Sequence, residues 1–325
     1  MTSHTPAAPP GRERRRRDSR VGDKIFMNLS RGSGILLLVV MAAIAGFLAW
    51  RSGIALSKNE GNFLTTFEWK PDDPKPVFGI AVLVFGTIVS ATIAMVIAVP
   101  VAIGIALFIS HYAPRRIAQT FAYLVDLLAA VPSIIYGLWG ALFLVPHLEG
   151  LTSWMDTYLG WTYVFDQSRT ATPRNLFTVG ILLAIMILPI ITAVSREVFR
   201  QVPRMHEEAA LALGATRWEM IRTAVLPFGR PGIISASMLG LGRALGETIA
   251  VAVVLSSSNV LSLHLLDPVG GTFAQNIALK FSEAQPFGRD ALMASGLVLF
   301  VITLLVNGAA RLIVARRKEY SGANA

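Results

Sequence analysis

Two charges stand inside an otherwise apolar run over residues 232–255: Arg243 and Glu247, four positions apart. At helical spacing they share a face. A charge at the centre of a membrane helix costs about 2.5–3.5 kcal/mol on insertion scales, so such a pair marks a functional site by default. The Arg243 guanidinium offers a planar fork of donors that matches a tetrahedral oxyanion, and Glu247 would hold that fork in place or exchange with the anion. A self-neutralising ion pair packed against a neighbouring helix is the structural alternative. Gly242 and Gly246 make a G-x-x-x-G step around the same charges, with Gly240 close by. Small residues there either let two helices approach closely or leave room for an ion. Ser133 and Tyr136, beside Pro132, are further candidates to line a polar path. Pro100, Pro132 and Pro189 each free a backbone carbonyl, although kinks of that kind equally serve packing.

These residues need membrane helices to hold them. With 54% hydrophobic and only 15% charged residues, the chain is too apolar for an ordinary soluble domain. A bilayer core about 30 Å thick takes roughly 20 apolar residues per helix. Six windows meet that length, at residues 32–50, 77–110, 121–145, 175–195, 232–255 and 291–310. The expected fold is therefore all-α and polytopic, with six main transmembrane helices.

The net charge of +9 follows from that topology rather than from a nucleic-acid partner. With both termini placed in the cytoplasm, 20 of the 29 Lys and Arg residues fall on the cytoplasmic side and 8 on the other, with Arg243 inside the membrane. That is the positive-inside asymmetry. Residues 1–31, rich in Pro, Arg and Ser, suggest a disordered basic cytoplasmic tail. Residues 32–315 make the membrane domain, and residues 316–325 a cytoplasmic C-terminal tail. The first apolar window reads as an uncleaved anchor, because five further spans follow it. The absence of cysteine excludes disulfides and thiolate metal sites. His4, His111, His147, His206 and His264 are scattered singly and read as loop residues, so no metal or other cofactor is expected. No phosphate-binding G-x-x-x-x-G-K-[ST] loop, G-x-S-x-G elbow or H-E-x-x-H pair occurs, which leaves an enzyme reading without support.

The basic loop at residues 196–230 has a plan of its own. Pro203 suits the first turn of a helix, and Glu207 and Glu208 sit where the helix dipole is positive. Met205, Ala209 and Leu213 recur every four residues as one apolar stripe. Gly214 fits the position that ends the helix. Residues 218–225 are expected to form a second short helix stopped by Pro227. Such a hairpin is small enough to sit in a groove of a partner; a helix lying on lipid is the other reading. A DNA-binding helix-turn-helix is poorly supported, since no third helix backs the pair.

Glu208-Ala209-Ala210, then Gly214, then Leu226-Pro227 resembles the EAA motif of ABC importer permeases, with Ala224 where the pattern usually has Ile. Four further stretches are similar to the phosphate-permease family PstC: Phe78-Gly79-Ile80 with Phe85-Gly86-Thr87, Val99 through Ala106, Val131 through Gly137, and Gly242 through Thr248. The sister family PstA usually follows Gly-Glu-Thr with Ala-Pro, whereas Ile249-Ala250-Val251 stands here. The resemblance covers roughly residues 77–315. It implies a type I ABC importer permease in the bacterial plasma (inner) membrane, forming half of a path for inorganic phosphate. It also implies that Glu207, Glu208, Ala209, Ala210, Gly214, Leu226 and Pro227 couple to an ATPase. The implied partners are a homologous second permease (PstA-like), an ATPase dimer (PstB-like) that alone splits ATP, and an extracytoplasmic phosphate-binding protein (PstS-like). A carboxylate such as Glu247 accepts a hydrogen bond from protonated phosphate, which fully ionised sulfate cannot donate. A permease for sulfate or molybdate, or a membrane-anchored scaffold that moves no solute, are the alternatives.

Overall fold

A computed structural model describes residues 12–166, 172–258 and 260–318, and divides the chain into one unit up to Trp50 and a second from Arg51 onward. The first unit is helical throughout its described part, as the first 39 residues of α1 (Arg12–Lys58). The helix thus starts well before residue 32, where the sequence suggested that a disordered tail ends. Pro9-Pro10 is the last strong breaker, and the Arg-rich stretch that follows is composed largely of good helix formers. Residues 1–11 and 319–325, which hold the rest of both expected tails, lie outside the described residues.

The second unit is built around α6 (Leu176–Arg200). Its Val179, Leu182, Leu183, Met186, Ile187 and Ile191 are at most 1% exposed. Against it lies α2 (Ala81–Leu107), whose Ala91, Ala94, Ala98, Ala102 and Ala106 recur at helical spacing and are all buried. Alanine on that face lets two backbones come close, which is how membrane helices gain dispersion contact without a hydrophobic driving force. On another side packs α9 (Leu226–Gly246), where a Cβ on Gly240 would stand 2.6 Å from Ile191 Cδ1. The opposite faces of α2 and α9 keep large apolar side chains exposed, such as Val96, Val101 and Leu239. That inversion belongs to a chain solvated by lipid. Among the described residues, six helices are long and apolar enough to cross a membrane: Gly22–Lys58, Ala81–Tyr112, Ser133–Thr162, Leu176–Arg200, Arg217–Gly246 and Pro286–Leu312.

Two boundaries differ from the sequence reading. The window at residues 121–145 is divided: α3 (Arg115–Ala129) ends first, and α4 (Ser133–Trp139) begins after Pro132 at its N-cap. Proline lacks the N–H that would continue α3 and forces the residue before it out of the helical region. The third span is therefore carried by α4, a π-turn at Gly140–Leu144 and α5 (Val145–Leu159). At the basic loop, Pro227 does not stop the helix. A π-turn at Ile221–Val225 lets the Leu226 N–H reach back to the Ile221 carbonyl, and α8 (Arg217–Met220) runs on into α9 as one span. The wider turn relieves the clash that proline makes with the preceding turn.

At the end of the second unit remote from the basic loop sits a small aromatic layer. The hairpin β1 (Trp69–Lys70) and β2 (Val77–Phe78) buries Phe78 against Phe63, Trp69 and Phe287 at 5.8–6.3 Å between ring centres. Asp72 caps α12 (Pro286–Lys318) by accepting from the N–H groups of Gln285 and Gly288. Arg51 pairs with Asp290 of the same helix at 2.6 Å. A short helix, α11 (Phe273–Lys280), closes this layer behind a Thr272–Gln275 capping box.

Candidate functional site

The pair read from the sequence as one helical face is separated by a break. Helix α9 ends at Gly246, Glu247 takes an extended conformation (φ −68°, ψ 128°), and α10 (Ile249–Val254) starts after Thr248. Glu247, 8% exposed, turns its Oε1 to accept from the Ala250 N–H at 3.3 Å, a charge matched to the positive end of α10. At the other end of α10, Arg174 donates to the Val253 carbonyl at 3.3 Å. Glu247 is thus committed to the short helix, and no ion pair joins it to Arg243 among the described residues. Arg243 stays half-buried in the last turn of α9, at the negative end of that helix dipole. A broken span of this kind exposes carbonyls from one half and N–H groups from the other, a form tolerated in a membrane where it lines a cavity or is covered by protein.

Tyr136 and Ser133 come to the same neighbourhood on α4. Gly137 lies so close to α10 that a Cβ there would be 2.8 Å from Ala250 Cα. The Tyr136 hydroxyl donates to the Leu128 carbonyl at the end of α3, at 2.9 Å. Tyr136 therefore has a structural bond of its own and offers only its lone pairs to a path. Ser133 is half-buried. Gly242 and Gly246 face open space, with nothing within 4 Å of an added Cβ, so the close helix approach expected of them is made by Gly240 instead. Their bareness leaves room beside Arg243.

The second set of residues is at the basic loop. Helix α7 (Arg204–Ala212) follows Pro203 at its N-cap and ends in a left-handed Gly214 (φ 87°). Ala215 N–H bonds the Ala210 carbonyl at 3.2 Å and Gly214 N–H the Leu211 carbonyl at 3.0 Å, the two bonds of a Schellman ending. Thr216 and Glu219 then cap α8 reciprocally. Ala210 and Leu226 pack on a core of Phe199, Ile221 and Val225, which fixes the hairpin to the bundle. Met205 and Leu213 are 78% and 90% exposed, and Glu208, Ala209 and Pro227 are exposed as well. The expected apolar stripe is present and uncovered. Glu207 differs from its neighbours: it turns inward to His111 at 3.4 Å.

His111, expected in a loop, is helical. It stands in a π-turn, Phe108–Tyr112, that prolongs the second span, and its side chain is 8% exposed. Beside it, Arg196 of α6 meets Asp126 of α3 at 3.2 Å. The only signal in the sequence was that the apolar period of residues 81–107 continues through Ile109.

The chain matches the family described as "Binding-protein-dependent transport system inner membrane component" over residues 98–319. It is 48% identical over 301 residues to phosphate transport system permease protein PstC 2 of Mycobacterium tuberculosis, covering 91% of this chain and 93% of that one. It is 40% identical to the PstC protein of Xylella fastidiosa, with 96% of each chain covered. Among solved structures, a chain of the MetNI methionine ABC transporter in an inward-facing conformation is 18% identical with a TM-score of 0.52, covering 73% of this chain and 94% of that one. That likeness concerns the fold, which is that of an ABC importer permease.

Proposed function

The chain belongs to the family of binding-protein-dependent transport inner membrane components and is a multi-pass permease subunit of an ABC transporter; from that premise we propose that it forms half of the translocation path for inorganic phosphate. The observation that carries the path is Arg243, a guanidinium without a partner among the described residues, at a broken membrane helix beside bare glycines. A planar fork in low dielectric binds a tetrahedral oxyanion far better than water-exposed cations do. Ser133 and Tyr136 flank the same space. Glu247 keeps α10 in place, so the break persists while the anion passes. Phosphate itself is the substrate because relatives at this level of identity carry that name.

The exposed stripe of α7 is the docking face for a separate ATPase, and this chain has no catalysis of its own. Both termini and α7 are then cytoplasmic, which agrees with the distribution of Lys and Arg. The coupling is mechanical. The span Arg217–Gly246 has 30 residues, roughly 45 Å of helix, with the docking hairpin at one end and Arg243 at the other. Closure of the ATPase dimer on ATP displaces α7, and the lever carries that motion to the break. A homologous second permease supplies the facing wall, and an extracytoplasmic binding protein delivers phosphate.

The test is uptake of labelled phosphate by phosphate-starved cells lacking the endogenous gene, carrying either this chain or its Arg243→Gln variant at equal membrane abundance. Removing one charge-assisted contact of about 1.5–3 kcal/mol predicts a loss of roughly tenfold to a hundredfold. Equal uptake from both would sink the path role of Arg243. Competition by unlabelled sulfate or molybdate would overturn phosphate as the substrate.

A further inference from the structure

A cavity of about 900 Å³ opens between the π-turn at the end of α2, helix α3, the last turns of α6 and the first turn of α7. It shares no lining residue with the Arg243 region. Its walls are strongly cationic: Arg115 from α3, Arg196 and Arg200 from α6, and Arg204 from α7, against the carboxylates Asp126 and Glu207. The two acids leave part of that charge unmet. Asp126 engages only Nη2 of Arg196, and Nε and Nη1 of that guanidinium are buried without a hydrogen-bond partner. His111, more than nine-tenths buried, spends Nε2 on a long contact to Glu207 and has no partner for Nδ1. Ser110 Oγ is likewise unpartnered. Buried donors without acceptors are rare in folded proteins because each costs its full desolvation. What faces the cavity is the excess of guanidinium over carboxylate, four arginines from three elements against two acids, a positive wall that an anion would neutralise.

We infer that this cavity binds a phosphate-type oxyanion on the side of the membrane that carries α7. Forked guanidinium donors suit the tetrahedral group, and the volume lies within the range of ligand sites. The same chemistry is presented by free orthophosphate with its waters and by the headgroup of an anionic phospholipid. Because Arg204 and Glu207 belong to the docking helix, occupancy ties α7 to α3 and α6 and restrains its displacement. That restraint rests on the transport reading above; the binding does not.

Binding is measured on the full chain in phosphatidylcholine nanodiscs, in an Arg243→Gln background so that the path contributes little, with labelled orthophosphate as probe. Arg115 and Arg200 are both exposed, so Arg115→Gln/Arg200→Gln leaves the core untouched. The expected result is saturable binding that the double substitution weakens by about tenfold or more. If orthophosphate fails to bind but phosphatidylglycerol in the nanodisc is retained through purification, and lost with the double substitution, the ligand is the lipid headgroup. Neither anion bound, or both bound equally by the two chains, overturns the site. A second measurement reads the restraint: the assembled transporter in vesicles preloaded with phosphate, with intact Arg243. Lumenal phosphate on the α7 side slows uptake by the parent but not by the double variant. Failure of uptake in every chain while nanodisc binding persists would count against the transport reading alone.

Discussion

The hairpin of α7 and α8 and the break after Gly246 are both interruptions of a helix, yet they are held by different means. The hairpin at α7 and α8 is stabilised by neighbours in sequence: the Schellman bonds around Gly214 and the reciprocal cap of Thr216 and Glu219. Its outer face is bare. The break at Gly246–Thr248 has a slighter local lock, the 3.3 Å cap of Glu247 on the Ala250 N–H and the bond from the Thr248 hydroxyl to the Gly246 carbonyl, and leans on distant partners. It is held by α4 through the Gly137–Ala250 contact, by Arg174 and by Leu255, whose carbonyl accepts from Gln275. A locally determined element keeps its shape while it moves, which suits a handle. An element defined by distant partners changes when they move, which suits a gate.

The sharpest way to break this contrast is Gly137→Val. A side chain there meets the α10 backbone, and overpacking of that kind costs about 1–3 kcal/mol. Uptake should be nearly lost and thermal unfolding in detergent should occur at lower temperature, although the hairpin is untouched. An unchanged uptake rate would mean that the break does not depend on α4. Next in size, Gly214→Val places a β-branched residue at φ 87°, a strain of about 1–2 kcal/mol. Because Gly214 borders open space, its effect is confined to the hairpin. ATP-driven uptake should fall several-fold, with the unfolding temperature of the bundle nearly unchanged; a large drop in that temperature would show that the hairpin is not an independent unit. Thr216→Ala removes one half of the cap and should cost about 1 kcal/mol, visible as faster proteolysis between Arg204 and Arg217.

Lys280, outside both regions, gives the smallest effect. Burial holds its ammonium below the usual lysine value of 10.5. The folded chain therefore binds this proton more weakly than the unfolded chain, and the penalty present at neutral pH is relieved as pH rises through the lowered value toward 10.5. Its place 5.6 Å over the Trp69 ring offsets part of the cost. Lys280→Met should raise the unfolding temperature slightly at pH 7, by less than about 1 kcal/mol of stability, with the difference fading at high pH. A variant less stable than the parent at pH 7 would reverse the sign of this assignment.

The same division explains what could be read from the amino-acid order. Pro203, the Glu207-Glu208 pair and Gly214 announce α7 because start and stop signals act over one turn. The apolar windows announce the six spans because bilayer thickness sets their length. The break after Gly246 was hidden, since nothing in Gly-Glu-Thr forbids a helix; packing of α4 against α10 and the capping by Glu247 decide it. Arg243 and Glu247 stand out in the sequence as intramembrane charges, but their four-residue spacing implies a pairing that the extended Glu247 does not make. Pro132 and Pro227 misled in opposite directions. The first divides an apolar run, whereas the second is carried inside a continuous helix by a wider turn.

Among the described residues that wider turn occurs three times, at Phe108–Tyr112, Gly140–Leu144 and Ile221–Val225, and each time a proline stands two residues beyond it: Pro114, Pro146 and Pro227. Each π-turn adds about one residue to the helical count, a phase slip of roughly 100° in the direction side chains point. A helical wheel drawn straight through residues 217–246 therefore assigns the wrong neighbours to one half of the span. Residues before Ile221 and after Val225 answer to two different azimuths, and the angle between the exposed face of α8 and the face that carries Arg243 is set by that slip.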